Sequence, residues 1–510
     1  MHWSRGYVAD IGYTAHFYRE MTPAHLAFAA LITGRSPGRA LRPKQFLELG
    51  CGQGFGLALM AAANPHIDFE GCDFNPEHVA HANRIIRNAE LNNIEVIERS
   101  FEEEATRGDS YNVDILAFHG VLSWVTAESR DAIVSIARRR LRPDGLLYTS
   151  YNCQPGWAPL APIRHFLKEV HRRSPGRSDV QLSAALDALS KLRNGGAGYF
   201  TANSGAAPHL EQMLKYDKTY LAHEYFAADW YIPPFATVSD MFDAAKLSYV
   251  GSATIAENLD QYAVPQALRE TIAEVQDPIL RETMRDYAAN KRFRRDIFAR
   301  GRTPLTSPEH RALFAQMKFV AVRPQEDFTF KFSGPLNELT GLEDYYRPLT
   351  ELLVQGPATL EEMSALPSFQ KGGSGTLFDC LALLIGSQQI APILPGSPVD
   401  AAPAQRFNRW ITERLKIGRV YNYVAAPVIG SGLPVGDLDI ATLGAIFEGC
   451  EEDPVKIAEY AFGIFKGLDR RPVRDGQPIE DDGEAIKFLI EENKPILKNK
   501  LPLWRQLGAI

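Results

Sequence analysis

At 510 residues the chain exceeds the size at which one hydrophobic core stops growing, so two or three domains are expected. With 45% hydrophobic, 10% aromatic and 23% charged residues, the composition is that of a globular protein and excludes a disordered or fibrous one. A net charge of -7 excludes a general electrostatic pull toward nucleic acid or anionic membrane.

Five cysteines, Cys51, Cys72, Cys153, Cys380 and Cys450, are odd in number and form no C-x-x-C pair. Neither a disulfide framework nor a metal site is expected, and they read as reduced, buried thiols. The first twenty residues lack a signal-like apolar core, and no later stretch approaches the roughly 20 apolar residues of a membrane span. The expected location is cytoplasmic, with no membrane partner.

In chain order, Thr22-Pro23 starts a helix, Thr as the cap and Pro in the first turn. Tyr13, Phe17 and Tyr18 precede it, either lining a pocket or packing the segment onto the core. From Gln45 to Tyr151, strands are predicted at 45–49, 67–72, 94–98, 113–119 and 145–151, alternating with helical stretches as in a parallel sheet flanked by helices. Pro143-Asp144-Gly145 turns the chain into the fifth strand. Residues 157 to about 232 read as a helical insertion over the sheet. A helix and a sixth strand follow in VSDMFDAAKLSYVGSATI, and RFRRDIFARG supplies a seventh strand at the sheet's edge. Beyond 303 the chain is mainly helical, with a winged-helix-like module and then a more open tail. The predicted units are an N-terminal segment 1–44, a Rossmann-like core 45–156, an insertion with the last strands 157–302, and a C-terminal region 303–510.

The stretch Phe46-Leu-Glu48-Leu-Gly50-Cys51-Gly52-Gln-Gly54-Phe-Gly56 sits where the first strand becomes a helix. Tight turns need glycine for structural reasons, so the loop alone is a weak signal. A dinucleotide fingerprint counted from Gly50 puts its third glycine at Phe55, and the register fails. Glu48 decides further, because a carboxylate is repelled by a pyrophosphate and favours a cationic ligand. S-adenosylmethionine is cationic and carries no phosphate. Asp73, 25 residues after Glu48, ends the second strand, where a carboxylate accepts hydrogen bonds from a ribose diol.

With Glu48, Gly50, Gly52, Gly54 and Asp73 in place, the sequence resembles the class I S-adenosylmethionine-dependent methyltransferases, α/β proteins with a seven-stranded Rossmann-like sheet. The resemblance implies cofactor contacts from these residues, from Cys51 in the loop and Phe74 after Asp73, and from Ser100 and Phe101 toward the adenine. HGVLSWV (119–125), SYNCQPGW (150–157), YLAHEYFAADWYIPPF (220–235) and FRRDIF (293–298) are similar to a narrower group, bacterial methyltransferases with a methyltransferase regulatory domain. Its characterised members include protein lysine methyltransferases acting on bacterial surface proteins, which implies a protein substrate.

His119-Gly120 ends the fourth strand, and its backbone is expected to approach the methionine part of the cofactor. The imidazole either acts as a base or only hydrogen-bonds locally. Tyr151 and Asn152 are candidates to orient a nucleophile, and Trp124 and Trp157 to exclude water or contact an amine; the alternative is aromatic packing. His223-Glu224 forms a possible proton acceptor on adjacent positions that do not share a helix face. The six basic residues between Lys291 and Arg302 read as a charged edge strand. Residues 331–510 carry 18 Lys+Arg and 24 Asp+Glu, so no nucleic-acid partner is expected. The function expected is methyl transfer from S-adenosylmethionine to a protein lysine amine. The rivals are a small-molecule or saccharide O-methyltransferase and a cofactor-binding interaction protein.

Overall fold

Seven short apolar runs pair into one sheet: β1 (Gln45–Leu49), β2 (Asp68–Asp73), β3 (Ile94–Glu98), β4 (Val113–Phe118), β5 (Leu141–Asn152), β6 (Leu247–Ser252) and β7 (Phe293–Arg300). In the computed structural model, which describes residues 15–108, 110–301, 304–334 and 336–510 (side chains 371–374 excepted), their order is β3-β2-β1-β4-β5-β7-β6. The first five run parallel, and β7 lies antiparallel between β5 and β6. The order reverses between β1 and β4, so the carboxyl ends of these strands form the crevice where open α/β sheets take ligands.

Five helices flank the core: α1 (Pro23–Ile32), α2 (Phe55–Ala63), α3 (Pro76–Asn88), α4 (Phe101–Ala105) and α5 (Ala127–Arg140). Thr22 does not cap α1 through its hydroxyl, which donates back to the Arg19 carbonyl at 2.7 Å. Asp144 takes a positive φ of 61° within β5, where the pairing with β4 shifts register, so the expected turn is absorbed as an irregularity of the strand. The insertion is all helical: α6 (Ala161–Arg173), α7 (Ser178–Asn194), α8 (Gly198–Ala202), α9 (Ala206–Met213) and α10 (Lys218–Phe226). Its own core contains Trp157, which packs against His209, Tyr225 and Trp230. Trp157 therefore belongs to insertion packing and not to the site.

β7 corrects the expected edge strand, because β6 is the edge and β7 is paired on both sides. Its basic residues are used internally. Arg294, with a side chain 3% exposed, bonds Asp296 through Nε at 2.9 Å and Glu282 and the Tyr249 hydroxyl through Nη2 at 2.8 and 3.1 Å. It also pairs with Asp286. The Tyr151 hydroxyl donates to Asp296 at 2.5 Å. Arg302 and Tyr13 lie outside the described residues.

After β7 a three-stranded antiparallel sheet, ordered 358–359, 318–321, 390–393, packs with helices Glu343–Gln355, Leu360–Ser364 and Pro367–Gly386. This winged-helix-like unit takes its central strand from ahead of its helices. The remainder is not an open tail. Helices Ala402–Leu415, Asp437–Phe447, Pro454–Gly467 and Asp482–Pro495 continue the main core. Here Phe407 and Tyr421 stack on Phe55 of α2. That contact explains why α2, FGLALMAAA, is apolar on every side: the sheet covers one flank and the C-terminal region the other. No described helix is long and apolar enough to cross a membrane. None of the cysteines pairs, and Cys51 and Cys450 are only partly buried.

Replacing Arg294 by Met removes the cation shared by the buried Asp286 and Asp296 and the half-buried Glu282. A loss of about 3–5 kcal/mol of stability is expected, measured by denaturant unfolding.

Candidate functional site

At the carboxyl end of β1 the backbone turns abruptly. Gly50, Gly52 and Gly54 all have positive φ, of 68°, 55° and 71°, which side chains with a Cβ rarely adopt. A Cβ on Gly54 would lie 2.4 Å from Ala82 Cβ of α3. The loop is tied to β2, since Gly50 N–H donates to the Cys72 carbonyl at 2.8 Å and Gly52 N–H to Asp73 Oδ2 at 2.9 Å. Asp73 Oδ1 accepts from Asn75 N–H at 2.9 Å. Both carboxylate oxygens therefore hold the loops in place, Oδ1 lying also 3.3 Å from His78 Nδ1, and Oδ2 keeps a further lone pair.

The C-terminal region reaches the same loop through His81. Its Nδ1 lies 2.9 Å from the Gln53 carbonyl and its Nε2 3.0 Å from the Tyr421 hydroxyl. Burial lowers the pKa of His81 and keeps it neutral. A carbonyl only accepts, so Nδ1 carries the proton and Nε2 accepts from Tyr421.

Two cavities meet here. The smaller, about 580 Å³, lies between the loop residues Glu48 to Gly56 and the N-terminal residues Ala15 to Tyr18. The larger, about 1110 Å³, extends past Asp73, Phe74 and Phe101 to Trp124 and the insertion residues His223, Glu224 and Asp229. Gly50, Gly52 and His119 line both. At this junction His119 stacks on Tyr18 with ring centroids 3.5 Å apart, and its Nδ1 is 2.8 Å from the Tyr148 hydroxyl. Burial, aided by Arg295, pushes its pKa down to about 3, so the ring is uncharged and weakly basic.

Glu48 is the reverse case. Burial, with Asp73 adding to it, pushes its carboxyl up to about 8. Among the described residues no cation lies within ion-pair distance of it. A half-buried carboxylate without such a cation suits a ligand that brings positive charge and no phosphate.

The structure brings together Glu48, Gly50, Cys51, Gly52, Gly54, Asp73, Phe74, Ser100, Phe101, His119, Gly120 and Trp124 as cavity lining. It does not bring Tyr151 there. Tyr151 is fully buried on the opposite face of β5 among Phe118, Phe242 and Phe298, so the expected nucleophile-orienting role is corrected to a structural one. Asn152 faces the site indirectly: its Nδ2 donates to Glu224 Oε1 at 3.2 Å. Ser100 lines the cleft, but its Oγ accepts from Glu103 N–H at 3.2 Å while Glu103 accepts from Ser100 N–H at 2.8 Å. This capping box commits its hydroxyl oxygen to starting α4. The acid of that turn that lines the cleft is Glu102, which the sequence reading missed; its Oε1 accepts from the Ser129 hydroxyl at 2.7 Å. The S-x-x-E spacing of Ser100 and Glu103 was the signal that would have placed it in a first helical turn. His223 and Glu224 both reach the cleft despite adjacent positions, because it wraps around α10.

A family model described as a methyltransferase domain matches residues 47–147, and one described as a predicted methyltransferase regulatory domain matches 217–300. The uncharacterized protein sll1526 of Synechocystis sp. is 30% identical over 512 aligned positions, covering 100% of both chains. The chain belongs to the methyltransferase family that carries this regulatory domain. Its cofactor is S-adenosylmethionine, which supplies a methyl group on an electrophilic sulfonium. The methyltransferase is also similar to the uncharacterized protein RP789 of Rickettsia prowazekii, 28% identical over 56% of this chain and 51% of that one. Among solved structures, PKMT2 from Rickettsia typhi in complex with AdoHcy superposes with a TM-score of 0.68 at 19% identity, over 95% of this chain and 99% of that one. That likeness is one of fold and includes the C-terminal region.

Glu48 binds more protons folded than unfolded between about pH 4.5 and 8, so the unliganded methyltransferase loses stability as pH rises through that window. Glu48→Gln is expected to remove a few kcal/mol of this loss. Thermal melts of the unliganded protein should show the variant more stable at pH 8.5 and equal to wild type at pH 4.5.

Proposed function

We propose that the protein transfers the methyl group of S-adenosylmethionine to the side-chain amine of a protein lysine. The observation that carries this reading is His119. The imidazole at the junction of the two cavities is a weak base, poorly suited to deprotonating a hydroxyl, whereas an amine needs only to lose its extra proton. The insertion adds Glu224 and Asp229 to the cleft near Trp124, a setting for a cation rather than an anion. The full-length likeness in fold to a protein named PKMT2 agrees with it.

On this reading Glu48 faces the positive charge of the cofactor's methionine part, and Asp73 accepts from the ribose hydroxyls with its remaining lone pair. Backbone at Gly50, Cys51, Gly52, Gly54 and His119-Gly120 approaches the cofactor closely. Phe74 and Phe101 pack around the adenosine, and Glu102 takes the place first expected of Ser100 toward the adenine amine. Trp124 and the insertion exclude water around the acceptor. A lysine starts near pKa 10.4, and burial among aromatic rings disfavours its charged form.

Incubation with methyl-labelled cofactor and cell or envelope extract is expected to place label on lysine side chains of protein. Label confined to sugars or small molecules overturns the proposal. Tyr421→Phe removes the hydroxyl that His81 accepts and frees the Gln53 turn; affinity for S-adenosylhomocysteine, measured by calorimetry, is expected to fall by about three- to tenfold.

A further inference from the structure

Glu224 projects from α10 into the larger cavity. Among the described residues its carboxylate accepts a hydrogen bond from Asn152 Nδ2. Among the described residues no lysine, arginine or histidine nitrogen lies within 4.0 Å of it. The groups that feel its charge are the hydroxyls of Tyr18 in the N-terminal segment and of Tyr220 and Tyr225 on α10, none of them a cation. His223 and Asp229 share its cavity.

Buried carboxylates away from the cavities are paired. Glu104 meets Arg140 and Arg99, and Asp296 meets Arg294. Burial pushes the Glu224 carboxyl up to about 7, so it ionises near neutrality. A half-buried carboxylate, oriented by an amide and without a counter-charge among the described residues beside the cofactor's cavity, matches a ligand that supplies the cation.

We propose that Glu224, oriented by Asn152, binds the ammonium group of the methyl acceptor and takes its proton, so that the cleft selects a cationic aliphatic amine over a neutral hydroxyl. This rests on the amine reading above and names the group that enforces it. Glu224 accepts one proton from the ammonium, which exposes the nitrogen lone pair. That pair forms the N–C bond while the electrons of the C–S bond remain on sulfur, leaving a neutral thioether and a methylated ammonium. The proton on Glu224 then passes to solvent through the open cleft.

The test compares wild type, Glu224→Gln and Glu224→Asp. All three are expected to bind S-adenosylhomocysteine within about threefold of one another, which reports an intact fold and cofactor site. Without ligand, Glu224→Gln is expected to melt higher than wild type at pH 8.5 and alike at pH 5, because an uncompensated charge has been removed. With S-adenosylhomocysteine bound, n-butylammonium is expected to bind wild type at least tenfold more tightly than Glu224→Gln. Methylation of lysine in protein extract should fall at least a hundredfold in Glu224→Gln and partly recover in Glu224→Asp. Equal melting at pH 8.5, or equal n-butylammonium binding, overturns the assignment. Lysine methylation that persists in Glu224→Gln overturns the role of Glu224 and leaves the lysine reading standing. Wild-type methylation of hydroxyls alone overturns both.

Discussion

A carboxylate taken out of water requires a cation, and the way this protein meets or withholds that requirement separates its scaffold from its site. Where β2, α4 and α5 join, Glu70 and Glu104 are matched by Arg99, Arg107 and Arg140. Beneath β7, Arg294 gathers Asp286, Asp296 and Glu282. Those pairs lock strands and helices that are distant in sequence. Glu48 and Glu224 are half-buried, have no cation within ion-pair distance among the described residues, and line the cavities at the switch point of the sheet. On the proposed reading, a positively charged ligand supplies the missing counter-charge at both positions on binding.

The C-terminal region contributes to the same economy of position. It clamps the helix that follows the glycine loop. Tyr421 stacks on Phe55 at 4.7 Å and bonds His81, which bonds the Gln53 carbonyl in the middle of the loop. On the other flank Gly430 leaves room for Asn64, whose Nδ2 donates to the Gly430 carbonyl at 2.9 Å. A loop with three left-handed glycines has many alternatives when free. These contacts from more than 350 residues away remove them.

Much of this was legible in the sequence, for reasons particular residues make plain. The strands and the glycine loop are local patterns, and Glu48 and Asp73 are fixed by their distance from strand ends. What sequence periodicity does not encode is the spatial order of the last strands, so FRRDIF read as an exposed edge when its arginines are buried partners. The pleat of β5 was readable: Ser150 and Asn152 share a face that Tyr151 cannot share. So was the capping box at Ser100. The all-apolar α2 also announced that something covers its outer flank, although only the fold reveals that the covering comes from the C-terminal region.

The two unpaired carboxylates also constrain where chemistry takes place. Tyr18 feels both Glu224 and Glu48, and it stacks on His119, the side chain common to both cavities. A methyl group moves in line from sulfur to the attacking atom, so donor and acceptor must meet on one axis. On the proposed reading the cofactor's charge is held on the Glu48 side and the acceptor's on the Glu224 side. The Tyr18 and His119 ring pair then flanks that axis as an uncharged aromatic wall. Such a wall fits the chemistry: the cation on sulfur vanishes as another forms on nitrogen, and neutral rings accommodate both ends of that exchange, where a charged imidazolium would oppose it.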